Sequence, residues 1–190
     1  MIEKNEFSVK MEIEDLNFFK NNLADLLTVS RFVIGLVILC LSFIGRSAYI
    51  VVVTLTLVGA ATDMLDGRVA RHYFRGYKEG RLGKYDAEID TIFVLCVLGY
   101  ISFSGVVIHW FVGWGWIGLV LLAIIITGRN LKVIIFSEVT TVIALLVITL
   151  LYDPLIFGLI IAPVMLSGII INRQRVLYLL FDYWPKLFLK

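Results

Sequence analysis

The chain is poor in charged residues and in cysteine for its length. Only 17% of its 190 residues are charged, whereas 60% are hydrophobic. A soluble domain of this size could not bury that much apolar surface, so we expect one membrane domain without a separate soluble domain. Both cysteines, Cys40 and Cys96, lie in apolar runs, which argues against a disulfide or a metal pair. Residues 1–25 lack the apolar stretch that a secretory signal needs.

Long apolar runs are the dominant pattern of the sequence. A helix needs roughly twenty apolar residues to cross a bilayer. Six candidate runs lie at about residues 26–44, 48–65, 89–103, 106–127, 133–151 and 154–171. The third run is short, so its helix is expected to begin earlier, near Gly83, and to carry Asp86 and Asp90 in its first turns. We therefore predict an all-α polytopic membrane protein with six transmembrane helices.

Local signals mark the ends of these runs. Gly45 and Gly105 stand where the first and third runs end, and glycine favours turns. Asp153 is followed by Pro154, a pair typical of a helix start. We expect Asp153 to cap the sixth helix.

Basic residues are concentrated on one side of the six-span arrangement. Sixteen lysines and arginines fall in the amino-terminal segment, the loops after the second and fourth spans, and the tail, whereas the opposite side has Arg46 alone. The positive-inside rule then places both termini and the acidic segment 63–90 on the cytoplasmic side. We expect an integral membrane protein, in the plasma membrane of a prokaryote.

Two segments flank the predicted spans. Residues 11–20 mix apolar and acidic side chains, which predicts an amphipathic helix on the cytoplasmic face of the membrane. An extension of the first span and a partner-binding arm remain alternatives. The tail mixes aromatic residues with lysine, as an interfacial anchor does. The chain is accordingly divided into a cytoplasmic amphipathic segment (1–25), a six-helix membrane domain (26–175) and an interfacial tail (176–190).

Five residues with distinct chemistry share one face of the second predicted helix. At 100° per residue, Asp63, Asp66, Gly67, Ala70 and Arg71 fall on one side. The two acids can share a divalent cation, and the two small residues let a ligand approach the backbone. The arginine offers a forked donor that suits phosphate.

A second acidic pair begins the third helix. Asp86 and Asp90 are four residues apart and share a helix face with Gly83. If the two helices face each other, all four carboxylates meet, and their repulsion calls for a hard divalent cation such as Mg²⁺. No matching histidine or cysteine is present, which argues against zinc. The alternative is that these acids pair with loop arginines and lysines on a solvated surface.

The two acidic segments together resemble the signature of the CDP-alcohol phosphatidyltransferases. That signature reads D-x2-D-G-x2-A-R, then a loop, then G-x3-D-x3-D. The matching residues are Asp63, Asp66, Gly67, Ala70, Arg71, Asp86 and Asp90. Two departures concern Gly83: eleven residues separate it from Arg71, more than the usual eight or so, and it precedes Asp86 by three positions rather than four. Gly80 is a weaker candidate for its role.

The start of the first span extends the resemblance. Residues 24–31 are similar to the family's P-N-x-L-T-x-x-R pattern, with Thr28 and Arg31 in place. Asp25 stands where asparagine is usual, so it is either a nucleotide contact or a helix N-cap. The resemblance implies that the residues contacting the CDP-lipid are Asp25, Thr28, Gly67, Ala70, Arg71 and Gly83.

The resemblance also implies a reaction. A member of this family transfers a phosphatidyl group from a CDP-linked lipid, here CDP-diacylglycerol, to an alcohol and releases CMP in phospholipid biosynthesis. Two Mg²⁺ or Mn²⁺ ions held by Asp63, Asp66, Asp86 and Asp90 would neutralise the pyrophosphate. Asp90 is then the general base that takes the proton of the acceptor hydroxyl. The resemblance further implies a homodimer, and no nucleic-acid partner is expected.

Basic residues near the fourth and sixth spans bear on the acceptor. In the family, residues near these positions bind acceptors that carry a phosphate, so glycerol 3-phosphate is the leading acceptor. Inositol phosphate comes next, and serine or an uncharged alcohol stays open, because basic residues also satisfy the positive-inside rule and anionic headgroups. The acceptor-binding candidates are Arg129, Lys132, Arg173 and Arg175.

Other interpretations use the same acids differently. Glu138, inside the fifth span, lines an acceptor cavity or pairs with Arg129 or Lys132. A divalent-cation transporter is disfavoured because transport sites lie near the membrane midplane, whereas these acids flank the basic loop after the second span. A membrane prenyltransferase is disfavoured because the chain shows no internal repeat. A catalytically inactive family member is a further alternative, although all four acids and Arg71 are present.

Overall fold

All regular secondary structure that the computed structural model describes is helical. The description covers residues 25–73, 85–106, 109–171 and 173, and for residues 63–73 it concerns the backbone alone. Within these ranges there are helices and no strands, so the predicted all-α class is confirmed. The predicted amphipathic helix at residues 11–20, the tail and Gly83 lie outside the described residues.

Six helices follow one another along the described chain. We label them α1 (25–41), α2 (Tyr49–Tyr73), α3 (Asp86–Ser104), α4 (Trp110–Ile126), α5 (Leu131–Tyr152) and α6 (Pro154–Ile171). A 3₁₀ segment, Ser42–Ala48, joins α1 to α2, and a π-helical turn, Phe157–Ile161, lies within α6. The helix that carries Asp86 and Asp90 thus begins before the apolar run, as predicted.

Four stretches of the described residues are long and apolar enough to cross a membrane. They are Asp25–Thr62, α3, α5 and α6, whereas α4 is shorter at 17 residues. The first stretch is 38 residues long and contains α1, the 3₁₀ segment and the first part of α2. An integral membrane protein is therefore supported, and the count of six spans stays a prediction.

The chain reverses its direction at Gly45. This glycine has φ 75° and ψ −148°, a conformation that other residues rarely adopt. Phe93 of α3 lies against both Gly35 of α1 and Gly59 of α2, since a Cβ at either glycine would come within 3.5 Å of it. On one straight helix these two glycines would be about 36 Å apart. Helices α1 and α2 therefore form a hairpin, as the predicted break at Gly45 requires.

The other predicted breaks are confirmed as well. Gly105 follows α3 in the left-handed conformation, with φ 62° and ψ 36°, which ends the helix. The Asp153 carboxylate accepts a hydrogen bond from the Ile156 backbone N–H at 3.0 Å, so it caps α6, with Pro154 in the first turn.

Helix α3 is the centre of the described bundle. Its buried residues run from Thr91 to Ser102, and it packs against α1, α4 and α5. Its C-terminal end is tied to the α1–α2 turn, because Tyr100 donates a hydrogen bond to the Gly45 carbonyl at 2.9 Å and Arg46 donates to the Gly105 carbonyl. The helix that begins with Asp86 and Asp90 is thus held along its whole length.

Gly113 lets α4 approach α3 closely. A Cβ at this position would lie 1.6 Å from the Ser102 hydroxyl oxygen and 2.6 Å from its Cβ. Small residues permit such close backbone contact between membrane helices. The α3–α4 interface therefore depends on the absence of a side chain at Gly113.

We expect Gly113→Ala to destabilise the protein by about 1–3 kcal/mol, because the added methyl group forces α3 and α4 apart. Thermal unfolding of the detergent-solubilised protein measures this effect. Gly115→Ala is the matched control on the same helix, since a Cβ there meets nothing within 4 Å. Equal melting temperatures for the two variants would contradict the close contact.

Candidate active site

The start of α3 faces the start of α1 through four polar side chains. Thr28 and Arg31 are three residues apart on α1, and Asp86 and Asp90 are four apart on α3. Residues with these spacings share a helix face. Each helix thus presents two polar groups to the other, next to an otherwise apolar interface.

Arg31 is the centre of this arrangement. It is 1% exposed, and its guanidinium donates through Nη2 to Asp86 Oδ1 at 3.1 Å and through Nη1 to Asp90 Oδ1. Thr28 adds a hydrogen bond to Asp86 Oδ1 at 3.2 Å. A buried charge is tolerated only when it is paired and hydrogen-bonded. One arginine therefore joins both carboxylates of α3 to α1.

Both carboxylates remain accessible despite this contact. The side chains of Asp86 and Asp90 are 37% and 20% exposed. Arg31 contacts the Oδ1 atom of each carboxylate, and a carboxylate offers two oxygens that can ligate a cation. This all-oxygen donor set fits a hard divalent cation such as Mg²⁺ or Mn²⁺.

The other predicted metal ligands lie on α2. Residues 63–71 form part of one continuous helix, as the predicted stripe of Asp63, Asp66, Gly67, Ala70 and Arg71 requires, but their side chains are outside the description. Among the described side chains, no group of three or more potential ligands is close enough to hold a metal. The four-carboxylate cluster therefore stays a prediction.

The backbone brings the two halves of the motif to the same end of the bundle. Gly59 of α2 lies against Phe93 of α3, and the two helices run in opposite directions at this contact. Asp63 follows Gly59 by about one turn, and Asp90 precedes Phe93 by about one turn. Both residues are therefore displaced from the contact in the same direction, which is what a shared site needs.

A second ion pair holds α3 on its opposite side. Glu88 lies between Asp86 and Asp90 in sequence and points to the other helix face. Arg129, in the α4–α5 loop, donates to Glu88 Oε1 through Nε at 2.9 Å and also through Nη2. Its guanidinium lies 4.7 Å from the centre of the Tyr85 ring, a cation–π contact.

The conformation and charge of Arg129 both serve this contact. Its φ of 64° follows the 60° of Gly128, so the loop turns through two left-handed residues and directs Arg129 towards α3. The hydrogen bonds to Glu88 raise the pKa of the Arg129 guanidinium above its ordinary value. The first turns of α3 are thus held by Arg31 on one side and by Arg129 on the other.

The remaining predicted site residues are spread around this end of the molecule. Asp25 begins α1, and Lys132 and Arg173 are exposed. Glu138 is half-buried on α5, and the ion pair of Arg129 is with Glu88 rather than with Glu138. Gly83 and Arg175 lie outside the described residues. The structure thus brings together Thr28, Asp86 and Asp90 among the predicted residues.

Sequence reasoning missed two contacts at this site. Arg31 was one residue of a motif and one basic residue in a charge count, yet it binds both acids of α3. An arginine within a predicted span, three residues after Thr28, was the available signal. Glu88 had a weaker signal, namely an acid on the helix face opposite to Asp86 and Asp90.

An apolar cavity extends away from the site into the bundle. It has a volume of about 230 Å³ and lies between α2, α3, α5 and α6. Along α2 its lining runs from Ala60 to Tyr49, roughly 16 Å of helix. Because Ala60 precedes Asp63 by one turn, the cavity begins beside the predicted metal ligands.

The chain matches the sequence model of one protein family. The match, to CDP-alcohol phosphatidyltransferase, covers residues 21–174, well over half of the chain. The chain belongs to the CDP-alcohol phosphatidyltransferase family. This confirms the resemblance and identifies a membrane transferase of phospholipid biosynthesis that takes its group from a CDP-alcohol. No curated protein and no solved structure gave a significant match.

For this CDP-alcohol phosphatidyltransferase we expect the Glu88–Arg129 pair to act as a unit. Glu88→Gln and Arg129→Gln should each lower the melting temperature. The double variant should be no less stable than the worse single variant, because either single change already removes the interaction. Thermal unfolding of the four proteins completes the cycle. Lys132→Gln, in the first turn of α5, is the control, and strictly additive losses would contradict the pairing.

Proposed function

We propose that this chain is a metal-dependent phosphatidyltransferase that transfers the phosphatidyl group of CDP-diacylglycerol to a small alcohol and releases CMP. The observation that carries the proposal is the pair of accessible carboxylates, Asp86 and Asp90, held on α3 by the buried Arg31. Membership of the family supplies the reaction class.

The metal site would use four carboxylates. Asp86 and Asp90 fit as oxygen ligands, and Asp63 and Asp66 would complete the set from α2. When bound, two Mg²⁺ or Mn²⁺ ions would neutralise the charge of the pyrophosphate. Arg71 steadies a phosphate, while Asp25, Gly67, Ala70 and Gly83 contact the CDP group. Thr28 is also among the proposed contacts of the CDP group, and its hydroxyl donates a hydrogen bond to Asp86.

Asp90 is proposed as the general base. Its carboxylate takes the proton of the acceptor hydroxyl as that oxygen bonds to the phosphorus that carries the lipid. The bond from this phosphorus to the bridging pyrophosphate oxygen breaks, and CMP leaves with that oxygen. Asp90 is suited to the role because Arg31 fixes one of its oxygens while the side chain stays partly exposed.

The apolar cavity supports a lipid-linked donor. It begins within one turn of Asp63 and continues for roughly 16 Å along α2. Its described lining includes Leu57, Val97, Leu145 and Met165, which are apolar side chains suited to an acyl chain. A CDP-lipid can therefore place its charged group at the carboxylates while a tail lies between α2 and α5.

The acceptor and the membrane arrangement complete the proposal. Glycerol 3-phosphate is the leading acceptor, and inositol phosphate, serine or an unphosphorylated alcohol are the alternatives. Six spans, a cytoplasmic site and the plasma membrane of a prokaryote are proposed on the sequence patterns, and a homodimer is proposed on the family resemblance. The proposed phosphate-binding residues are Arg129, Lys132, Arg173 and Arg175.

We expect Asp90→Asn to reduce CMP release from CDP-diacylglycerol by at least about a hundredfold, because an amide cannot accept the acceptor proton. CMP release in detergent micelles with Mg²⁺ or Mn²⁺ measures this, and a chelator should abolish wild-type release. Asp153→Asn is the control, since Asp153 caps α6 away from the site. Size-exclusion chromatography checks that both variants are folded. Normal turnover by Asp90→Asn would contradict the assignment of Asp90 as the general base.

The acceptor is tested with a panel of alcohols. With glycerol 3-phosphate, we expect Lys132→Gln to raise the acceptor KM about tenfold and to leave the KM for CDP-diacylglycerol unchanged, because one charged hydrogen bond to the phosphate is lost. Arg46→Gln is the control, since Arg46 contacts the far end of α3. Turnover with unphosphorylated alcohols alone would reject a phosphorylated acceptor.

A further inference from the structure

We propose that Arg31 is a built-in counter-cation of the metal site, which holds Asp86 and Asp90 together before a divalent cation binds and limits the affinity for that cation. The inference rests on the proposed metal site, and it adds a role for an α1 residue that touches neither the donor lipid nor the acceptor in the proposal. Its function is to position the two carboxylates and to balance their charge.

The geometry assigns Arg31 to both acids at once. The two terminal nitrogens of its guanidinium each engage a different carboxylate, Nη1 that of Asp90 and Nη2 that of Asp86. Both contacts end on Oδ1 atoms. A planar fork of this kind fixes the separation and the orientation of two carboxylates better than a lysine does.

Burial gives this contact its strength. Arg31 is 1% exposed, so water screens its charge far less than that of Arg129, which is 52% exposed. The charge of Arg129 moreover meets Glu88 on the opposite face of α3. Among the described residues, Arg31 is therefore the cation whose field acts most directly on the two proposed ligands.

Charge balance then links Arg31 to the metal. Two carboxylates on one helix face repel each other, and either the guanidinium or a divalent cation relieves that repulsion. When a cation binds to these carboxylates, it also meets the positive charge of Arg31. Arg31 thus stabilises the metal-free site more than the metal-bound site.

The contact of Thr28 with Asp86 allows the effect of the Arg31 charge to be distinguished from its effect on the orientation of the carboxylates. Its hydroxyl donates to the same Oδ1 atom of Asp86 without bringing a charge. Asp86 therefore keeps one neutral hydrogen bond to α1 when the charge of Arg31 is removed. A change in metal affinity after that removal can accordingly be assigned to the charge.

The experiment measures Mn²⁺ binding by the full chain in detergent, with no substrate present. Electron paramagnetic resonance gives the dissociation constant of Mn²⁺, and thermal unfolding with a chelator and with saturating Mn²⁺ gives the metal-induced shift. We expect Arg31→Gln to melt at a lower temperature in chelator, to gain more from Mn²⁺ than wild type, and to bind Mn²⁺ about tenfold more tightly.

Two further variants keep the test sharp. Arg31→Lys retains the charge and loses the fork, so we expect its Mn²⁺ affinity to match that of wild type even if Arg31→Gln fails to fold. Arg46→Gln should lower the melting temperature without changing the metal-induced shift, because Arg46 binds the carbonyl of Gly105 at the far end of α3.

The outcomes that overturn the inference are distinct from failure of the proposed function. Unchanged or weaker Mn²⁺ binding by Arg31→Gln, or loss of binding by Arg31→Lys, would show that Arg31 only orients the ligands. A wild-type chain without any Mn²⁺ response would overturn both the inference and the metal site. A wild-type chain that binds Mn²⁺ but releases no CMP would overturn the proposed function alone.

Discussion

The rest of the site depends on one buried positive charge. Asp86 and Asp90 accept hydrogen bonds from Arg31 and so stabilise its charge inside the bundle, and the guanidinium between the two acids reduces their mutual repulsion. Neither side of this interaction is favourable alone. The interaction therefore fixes the position of α1 against α3, and with it the site.

The fold supports this interaction by fixing α3 at both ends. Arg31 and Arg129 hold its first turns from opposite sides, while Tyr100 and Arg46 tie its other end to the turn at Gly45. Between these ends α3 is buried among its neighbours. A reaction that needs carboxylates within a fraction of an ångström of their working positions benefits from such a rigid support.

Local patterns predicted much of the fold, whereas contacts between distant residues were not predictable. The helices, the turn at Gly45 and the cap at Asp153 follow from apolar runs and from the backbone preferences of single residues. Arg31 and its partners are 55 and 59 residues apart, and Arg129 is 41 residues from Glu88. No local pattern predicted the contact between Arg129 and Glu88, because only the folded chain shows that the two residues lie side by side.

The separation between Arg31 and its partners has a consequence for biosynthesis in the membrane. At the usual rate of translation, the 55 residues from Arg31 to Asp86 take roughly 3 to 11 seconds to make. During that interval Arg31 lacks the two carboxylates of α3, and a charge without these partners is more favourable at the interface than within lipid. Arrival of α3 neutralises the charge and lets α1 settle, so the order of synthesis is also an order of assembly.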